Sequence, residues 1–299
     1  MISLAPFRYR NCLSEFGGPI DRIEESTLDV LGGSQSHANA YLREDLVRQR
    51  PALTVYSQAD GSGTAPSPML ARYKSVSEAL ERWAFHECST DPNRSRFGFD
   101  LDPSSNGMAA YPGFSTRDSR RHALLEAIER FCLIAWWEGK QGGTPIPVDE
   151  HNVDGVEVNY ADEDAVVAIL HRRTNDGFHC YGYGAGFSMR DAYERAAVEL
   201  ARSEVVVRRY RRLQNGTRTT VMQPTDLFER RCLYFSTDTG YQLFDVARRR
   251  GTAARSQRMK FVFDGEIPGA WTRYADVWRV AVEPPSSGFY TAGDNYFFW

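Results

Sequence analysis

The chain has 299 residues, of which 42% are hydrophobic, with 36 basic and 39 acidic side chains and a net charge of −3. This length allows one large domain or two small ones, and this hydrophobic content excludes disorder of the chain as a whole. No run approaches the roughly 18 consecutive apolar residues of a membrane helix, and the N-terminal segment lacks the apolar core of a secretion signal, so we expect neither membrane insertion nor secretion.

The first half of the chain predicts a strand and a helix separated by loops. GGSQS at 32–36 is typical of a loop, and ALTVYS at 52–57 predicts a strand. The Gly- and Pro-rich stretch at 58–68 predicts another loop. Residues 70–88 predict a helix because apolar side chains recur on one face. Residues 89–114 are again rich in Pro, Gly and Asn, which indicates a third loop.

The second half predicts two long helices and several strands. One helix is expected from Thr116 to Glu138, with Ser115 as its N-terminal cap. Three strands are expected in VEVNYA, AVVAIL and FHCYGYG. Another helix begins after Ser188 and continues to about Leu213. In the tail, KFVF and VWRVAVE predict short strands.

Helices and strands therefore alternate irregularly, with hairpin-like pieces among them. This order favours an α+β fold over a doubly wound sheet. No linker divides the chain, so we expect one domain over residues 1–299. Its motif-bearing core covers about 52–213, and residues 214–299 belong to the same domain.

The five cysteines are widely spaced and include no C-x-x-C pair, which indicates neither a zinc site nor a redox dithiol. They are Cys12, Cys88, Cys132, Cys180 and Cys232. We expect reduced, buried thiols and a cytoplasmic location.

Two predicted helices each carry a pair of glutamates three positions apart, followed by arginine. The motifs are Glu78-Ala-Leu-Glu81-Arg82 and Glu126-Ala-Ile-Glu129-Arg130. One helical turn places the two members of a pair on the same face. Four such carboxylates repel one another unless cations lie between them, and their oxygens suit Mg²⁺ or Ca²⁺. The alternative is a pair of solvated helix faces, which the flanking aromatic sequence argues against.

The absence of Glu-x-x-His excludes the usual di-iron carboxylate pattern. All-oxygen ligation therefore favours Mg²⁺, with phosphate completing its shell. SNGMAA at 105–110 is a candidate anion cradle ahead of the second helix. Gly182, Gly184 and Gly186 form another glycine-rich helix entry, without the full dinucleotide or P-loop spacing.

The order of these motifs resembles the YcaO family, whose members are ATP-dependent enzymes that modify peptide backbones. The motifs that carry the resemblance are, in chain order, SEALERW, SNGMAA, the second E-x-x-E-R, G-x-G and R-x-x-x-E. The resemblance spans residues 61–200, about half of the chain. It implies a YcaO-like fold of mixed β-sheets, with helices that carry acidic pairs around an ATP and Mg²⁺ site.

The resemblance also implies roles for individual residues. The implied nucleotide-binding residues are Glu78, Glu81, Asn106, Glu126, Glu129, Arg130, Arg195 and Glu199. The implied Mg²⁺ ligands are Glu78, Glu81, Asp118, Glu126, Glu129 and Glu199. For Asp118, a place in the helix cap is the alternative role. Arg130 and Arg195 are implied to act catalytically by neutralising charge on the transferred phosphoryl group.

This chain departs from the family pattern at several positions. Phe131 stands where an aspartate is common after Glu-Arg, Lys74 where a serine is usual, and Arg202 where a glutamine is usual. The C-terminus ends in NYFFW and lacks the proline-rich tail of many azoline-forming members. The acidic pairs are retained.

The resemblance therefore implies an ATP-dependent cyclodehydratase that forms azolines from Cys, Ser or Thr of a ribosomally made precursor peptide, with ADP and phosphate as products. Thioamide or amidine formation and a non-catalytic scaffold subunit are the alternatives. A metal-carboxylate enzyme unrelated to ATP is disfavoured by the absence of Glu-x-x-His.

The expected partners are the precursor peptide and a ThiF-like or winged-helix protein that binds its leader, since the chain has no room for such a domain; homo-oligomerisation is left open. Residues 201–260 hold 14 Arg or Lys against five Asp or Glu, a net charge of +9, and form a candidate surface for a partner or an acidic leader, or else a solvated surface. No nucleic-acid motif accompanies them. The aromatic tail at 296–299 is expected at a partner interface, beside the ATP site or in the core.

Overall fold

The computed structural model describes residues 3–47, 53–160, 164–216, 223–250 and 258–299. Its helices are α1 (Ala5–Arg8), α2 (Pro68–Ser89), α3 (Arg117–Trp137), α4 (Met189–Gly216), α5 (Leu227–Phe235), α6 (Asp238–Arg248) and α7 (Gly288–Thr291). Its strands are β1 (Ile20–Val30), β2 (Gly33–Leu42), β3 (Gly61–Ala65), β4 (Met108–Tyr111), β5 (Thr144–Ile146), β6 (Val153–Tyr160), β7 (Ala165–Arg173), β8 (His179–Gly186), β9 (Phe261–Glu266) and β10 (Asp276–Val282).

The described strands form three antiparallel sheets, in the orders β1-β2-β3, β4-β10-β9 and β5-β6-β7-β8. In the second sheet, a strand from the middle of the chain pairs with one from the tail, since Ala110 lies opposite Val277. The predicted α+β class is confirmed. The three long predicted helices and the predicted strands after residue 150 appear close to their expected bounds, whereas α5 and α6 were not predicted.

The stretch at 58–68, predicted to be a loop, contains strand β3. Helix α2 packs directly on this strand, and only glycine leaves room for the contact. A Cβ atom at Gly63 would lie 2.0 Å from the carbonyl oxygen of Ala71, and one at Gly61 would lie 2.2 Å from that of Ser75. The glycines thus serve close packing rather than a turn. The loop predicted at 32–36 is also mostly strand, because only Gly32, at φ 79°, lies in the β1–β2 turn.

The strand predicted at 52–57 is wrong for the residues that the structure describes, 53–57, which form bends. Their backbone N–H groups bind a side chain instead of a neighbouring strand. The buried carboxylate of Glu229 accepts hydrogen bonds from the backbone N–H groups of Thr54, Val55 and Tyr56, at 2.7 to 3.0 Å. A carboxylate that satisfies three successive donors removes the need for a sheet partner. Ala52 lies outside the described residues.

The two predicted helix caps have different outcomes. Ser115 does not cap α3, whose preceding residue is Thr116 and whose N-terminus has no side-chain cap hydrogen bond. Ser188 does cap α4, since its hydroxyl accepts a hydrogen bond from the N–H of Asp191 at 3.1 Å. Both helices still form because their apolar faces are buried.

Helix α3 lies in the main hydrophobic core together with strands β6 to β8 and the aromatic tail. Phe131 and Ile134 of this helix are buried in the same cluster as Phe297 and Phe298. Core packing, one of the three expectations for the tail, is therefore confirmed. All five cysteines are buried thiols. No described helix combines the length and the apolar character that crossing a membrane requires.

Candidate active site

Helices α2 and α3 bring the four predicted glutamates into one electrostatic cluster. Burial and the charge of Glu126 raise the pKa of Glu81 well above its usual range. Burial also raises the pKa of Glu126 to about 8, against the lowering effect of Arg130 and Arg82, and Glu78 adds to the rise. For Glu129, burial and then Glu126 raise the pKa to about 8. The members of each pair thus share one helix face, as the i, i+3 spacing predicts, and the tertiary structure brings the two pairs together.

Backbone donors orient two of these carboxylates. The N–H of Ser62, on strand β3, donates to Glu78 at 2.9 Å. The N–H of Ala185, on strand β8, donates to Glu129 at the same distance. Strands from two different sheets therefore fix the outer members of the cluster and leave the inner pair, Glu81 and Glu126, facing each other.

Helix α4 adds charges of both signs beside this cluster. Glu199 raises the pKa of Glu129, and Arg195 lowers it, so both side chains face that carboxylate. The Glu199 carboxylate forms an ion pair with Arg202 at 2.7 Å. The guanidinium of Arg202 also donates to the hydroxyl of Thr64 at 3.1 Å, which ties α4 to strand β3.

Lys74 and Arg202, two of the departures from the family pattern, belong to this site. The ammonium of Lys74 donates to the carbonyl oxygen of Thr64 at 3.0 Å. Burial and the positive charges of Arg202 and Arg195 lower the pKa of Lys74. Three cations therefore gather at the edge of the carboxylate cluster, as an anionic ligand requires. The sequence could have indicated Lys74 and Arg202, because each lies one helical turn from a predicted site glutamate. Lys74 precedes Glu78 by four residues, and Arg202 follows Glu199 by three.

Arg130 lies close enough to Glu126 to lower the pKa of that carboxyl, and it is only 8% exposed. Its guanidinium forms an ion pair with Asp102 at 2.7 Å and packs on the ring of Phe298, 4.7 Å from the ring centre. Turned so that its oxygen faces the guanidinium, the carboxamide of Asn106 also accepts from Arg130. In this structure Asn106 thus holds Arg130.

Two further residues of this network were missed by the sequence analysis. The guanidinium of Arg279, on β10, donates to the carbonyl oxygens of Asp102 at 2.7 Å and Ser104 at 2.9 Å. Asp102 lies in the Pro- and Ser-rich stretch before SNGMAA, and no local pattern distinguishes it from other loop acids. The role of Asp102 in holding the two arginines becomes visible only in the tertiary structure, where Arg130 of α3 and Arg279 of β10 contact it.

Asp118 lies on the Arg195 side of the site, beside Tyr111 and His122. Burial and Arg195 lower the pKa of His122 to about 4, and the charge of Asp118 opposes that shift. Asp118 also contributes, after burial, to the raised pKa of Tyr111. Its predicted role in metal binding stays a prediction.

Within the described residues, no three His, Cys, Asp or Glu side chains are arranged to hold a metal ion by themselves. The donor set nevertheless fits Mg²⁺ with a nucleotide, because the carboxylates supply hard oxygen ligands and the neighbouring cations supply a phosphate environment. Since Mg²⁺ usually keeps waters and substrate phosphates in its shell, an incomplete protein shell is expected.

The α+β fold thus places the acidic pairs of α2 and α3 beside cationic side chains of α4, an arrangement suited to binding a metal ion together with phosphate. The family model for YcaO cyclodehydratases, described as binding ATP and Mg²⁺, matches residues 85–278, and the chain belongs to this family. The predicted cofactors, ATP and Mg²⁺, are thereby confirmed. Glu78 and Glu81 lie just before the matched segment.

Two solved structures share the fold. YcaO from Methanopyrus kandleri, bound with AMPPCP and Mg²⁺, is 15% identical with a TM-score of 0.56, over 95% of this chain and 90% of that one. The E. coli microcin synthetase McbBCD complex with pro-MccB17 bound has a matching chain that is 9% identical, with a TM-score of 0.54, over 87% of this chain and 86% of that one. A comparison with curated protein sequences found no match.

Proposed function

We propose that this chain is an ATP-dependent enzyme that activates a backbone amide of a peptide by phosphorylation of the amide oxygen. The single observation that carries the proposal is the cluster of four partly buried glutamates on α2 and α3, with cations gathered beside it, in a chain of the YcaO family. The proposed reaction is azoline formation from Cys, Ser or Thr.

The balance of this reaction is simple. The substrate side chain adds to the preceding carbonyl carbon, the carbonyl oxygen leaves as phosphate, and the peptide loses the elements of one water while ATP becomes ADP and phosphate. Bound ATP with Mg²⁺ supplies the phosphoryl group that turns a poor leaving oxygen into a good one. The enzyme's own residues need only bind, orient and neutralise charge.

Each part of the site has a proposed task. Glu78, Glu81, Glu126, Glu129 and Glu199 are the proposed oxygen ligands of Mg²⁺. Mg²⁺ at these oxygens would favour the ionised forms of Glu126 and Glu129, which burial disfavours.

The cations have the complementary task. We propose that Arg195, Lys74 and Arg202 neutralise phosphate oxygens, as their position beside the carboxylates supports. Arg130 is the proposed second catalytic arginine, and Asp102 and Asn106 hold its guanidinium in one orientation. Because Arg130 is buried, its charge acts with little screening by water.

The substrate and partner proposals rest on the McbBCD complex, which contains pro-MccB17 and more than one protein. We propose a precursor peptide as substrate and a ThiF-like or winged-helix protein that delivers it, because a tethered peptide has a high local concentration at the ATP site. The buried thiols agree with a cytoplasmic location.

The first experiment measures the melting temperature with ATP and Mg²⁺ and with ATP and chelator. A ligand that binds only the folded state stabilises it, so we expect a rise only when Mg²⁺ is present. Glu129→Gln should keep the fold and lose the rise, whereas Glu194→Gln, at an exposed position of α4, should keep both. An equal rise in the Glu129→Gln protein would contradict the assignment.

The second experiment measures phosphate release and peptide mass in the presence of a leader-binding partner and a precursor peptide. Azoline formation predicts the loss of one water for each ring. Exchange of oxygen for sulfur or nitrogen would instead identify thioamide or amidine formation. If ATP binds but neither phosphate nor modified peptide forms, the scaffold alternative is correct.

A further inference from the structure

One face of the β1-β2-β3 sheet is lined by polar side chains. By the register of the strands, this face carries Arg22, Glu24 and Ser26 from β1, His37, Asn39 and Tyr41 from β2, and Ser62 and Thr64 from β3. The opposite face carries Gly61, Gly63 and small residues of β2 that pack on α2. The polar face is thus free of α2 and begins at Ser62 and Thr64, which contact the active site.

One stripe of α4 runs along this polar face. Arg202, Val206, Arg209 and Leu213 follow one another at spacings of four, three and four residues, so they share one side of the helix. Arg202 meets the sheet at Thr64, beside the active site. The other end of the stripe lies over the far end of the sheet.

At that far end the helix and the sheet enclose a groove of about 330 Å³. It is lined by Arg22, Glu24, Tyr41, residues 53–58, Arg209 and Leu213. A second depression of about 400 Å³ adjoins it, shares Arg209 and Leu213, and adds Val205, Arg208 and Arg212. The two depressions form one surface on either side of Arg209, and we call this surface the distal groove.

Two cations of the distal groove have no ion pair among the residues that the structure describes. Glu24 already accepts from Arg22 at 3.0 Å and from Tyr41 at 2.9 Å. Arg208 pairs with Glu204 at 2.7 Å and with Asp176 at 3.0 Å. By contrast, Arg209 and Arg212 are exposed, and neither has an ion pair in the part of the chain that the structure describes.

Apolar side chains flank these two arginines. Val205 is 50% exposed and Leu213 is 44% exposed, although both are large hydrophobic residues. A surface that combines two unpaired guanidinium groups with exposed aliphatic side chains complements a ligand with carboxylates and apolar groups in alternation. An acidic peptide segment has this chemistry.

We propose that the distal groove binds an acidic segment of the peptide substrate while the amide to be modified lies at the active site. The inference deepens the proposed function and rests on it for the identity of the substrate. Ten helical residues separate Glu199 from Arg209, a distance of about 15 Å. An extended peptide covers this distance in about five residues. The acidic segment therefore lies about five residues from the modified amide.

The test uses a synthetic fluorescent peptide in which Asp and Glu alternate with Leu, and measures its binding to the full chain by fluorescence anisotropy. We expect Arg209→Gln and Arg212→Gln each to weaken binding about threefold, as is usual for an exposed ion pair, and the double variant about tenfold. Arg10→Gln, an exposed arginine near the N-terminus, is the matched control and should bind as the wild type does.

Further measurements separate the competing explanations. Binding to the wild type should weaken as salt increases, and a peptide with Lys in place of the acids should not bind. No binding of the acidic peptide, or equal binding by all variants, would overturn the proposal. If a single-stranded oligonucleotide of equal charge binds as tightly and depends equally on Arg209, the groove is a nucleic-acid site and the peptide assignment is wrong.

The melting temperature with ATP and Mg²⁺ is measured on the same proteins. The arginine variants should keep the full rise, which shows that they are folded and that the active site is intact. Loss of peptide binding with the rise retained supports the groove. If the wild type shows no rise, the proposed function fails, and the anisotropy result still decides whether the groove binds an acidic peptide.

Discussion

Asp102→Asn is the most informative substitution, because Asp102 supports a catalytic candidate without being one. Its Oδ2 atom accepts from Arg130 at 2.7 Å. Its Oδ1 atom accepts from the hydroxyl groups of Ser104 at 2.6 Å and Tyr290 at 2.5 Å. An asparagine can keep the Oδ1 contacts, but it removes the negative charge and turns an N–H group toward the guanidinium.

The magnitude follows from burial. The side chains of Asp102 and Arg130 are 12% and 9% exposed, so the pair is screened little by water. Loss of one partner from a buried ion pair costs about 3–5 kcal/mol. Arg130 retains Ser104, Asn106 and the ring of Phe298 as neighbours, which places the expected loss at the lower end, about 3 kcal/mol.

The assay is urea unfolding of the wild type, the two single variants Asp102→Asn and Arg130→Gln, and the double variant. We expect a coupling of about 2 kcal/mol between the two positions. Asp100→Asn, an exposed acid two residues away, is the control and should change stability by less than about 0.5 kcal/mol. At temperatures where it is folded, the Asp102→Asn protein should also need more ATP for the same rise in melting temperature. Additive single effects, or a loss below about 1 kcal/mol, would refute the reasoning.

Three further predictions concern the fold. Glu229→Ala should lower the free energy of unfolding in urea by about 3–5 kcal/mol, because it leaves the backbone N–H groups of Thr54, Val55 and Tyr56 without their acceptor. Glu229→Gln keeps one oxygen and should lower it less. Equal losses for the two variants would contradict this explanation. Gly63→Ala should unfold the protein or lower its stability by more than about 3 kcal/mol, whereas Gly33→Ala, where a Cβ atom meets only ordinary contact, should be tolerated; a stable Gly63→Ala protein would disprove the packing argument. Burial alone would raise the pKa of Asp102, but the charge of Arg130 and hydrogen bonds hold this pKa below its usual value. The Asp102 carboxylate therefore stabilises the fold above about pH 3.9 and loses that effect as the pH falls through the folded pKa. The difference in stability between the wild type and Asp102→Asn should close in acid, and a constant difference would count against this reasoning.

The sequence by itself determined the helices that carry the site. Local spacing is enough to place Glu78 with Glu81 and Glu126 with Glu129 on single faces, because an α-helix repeats every 3.6 residues whatever surrounds it. The apolar and aromatic sequence that flanks these glutamates predicted that α2 and α3 pack against the core, and that prediction is confirmed. The order of the motifs was also sufficient to indicate the family.

Only the tertiary structure decided which distant groups meet. Residues 58–68 contain a strand because α2 covers Gly63, and residues 53–57 form no strand because Glu229, far along the chain, takes their N–H groups. Arg130 is held by Asp102 from a loop and by Phe298 from the tail. Hydrogen bonds and ion pairs require a distance of about 3 Å in space, whatever the separation of the two residues along the chain. A local sequence pattern therefore cannot predict which distant residues will be partners.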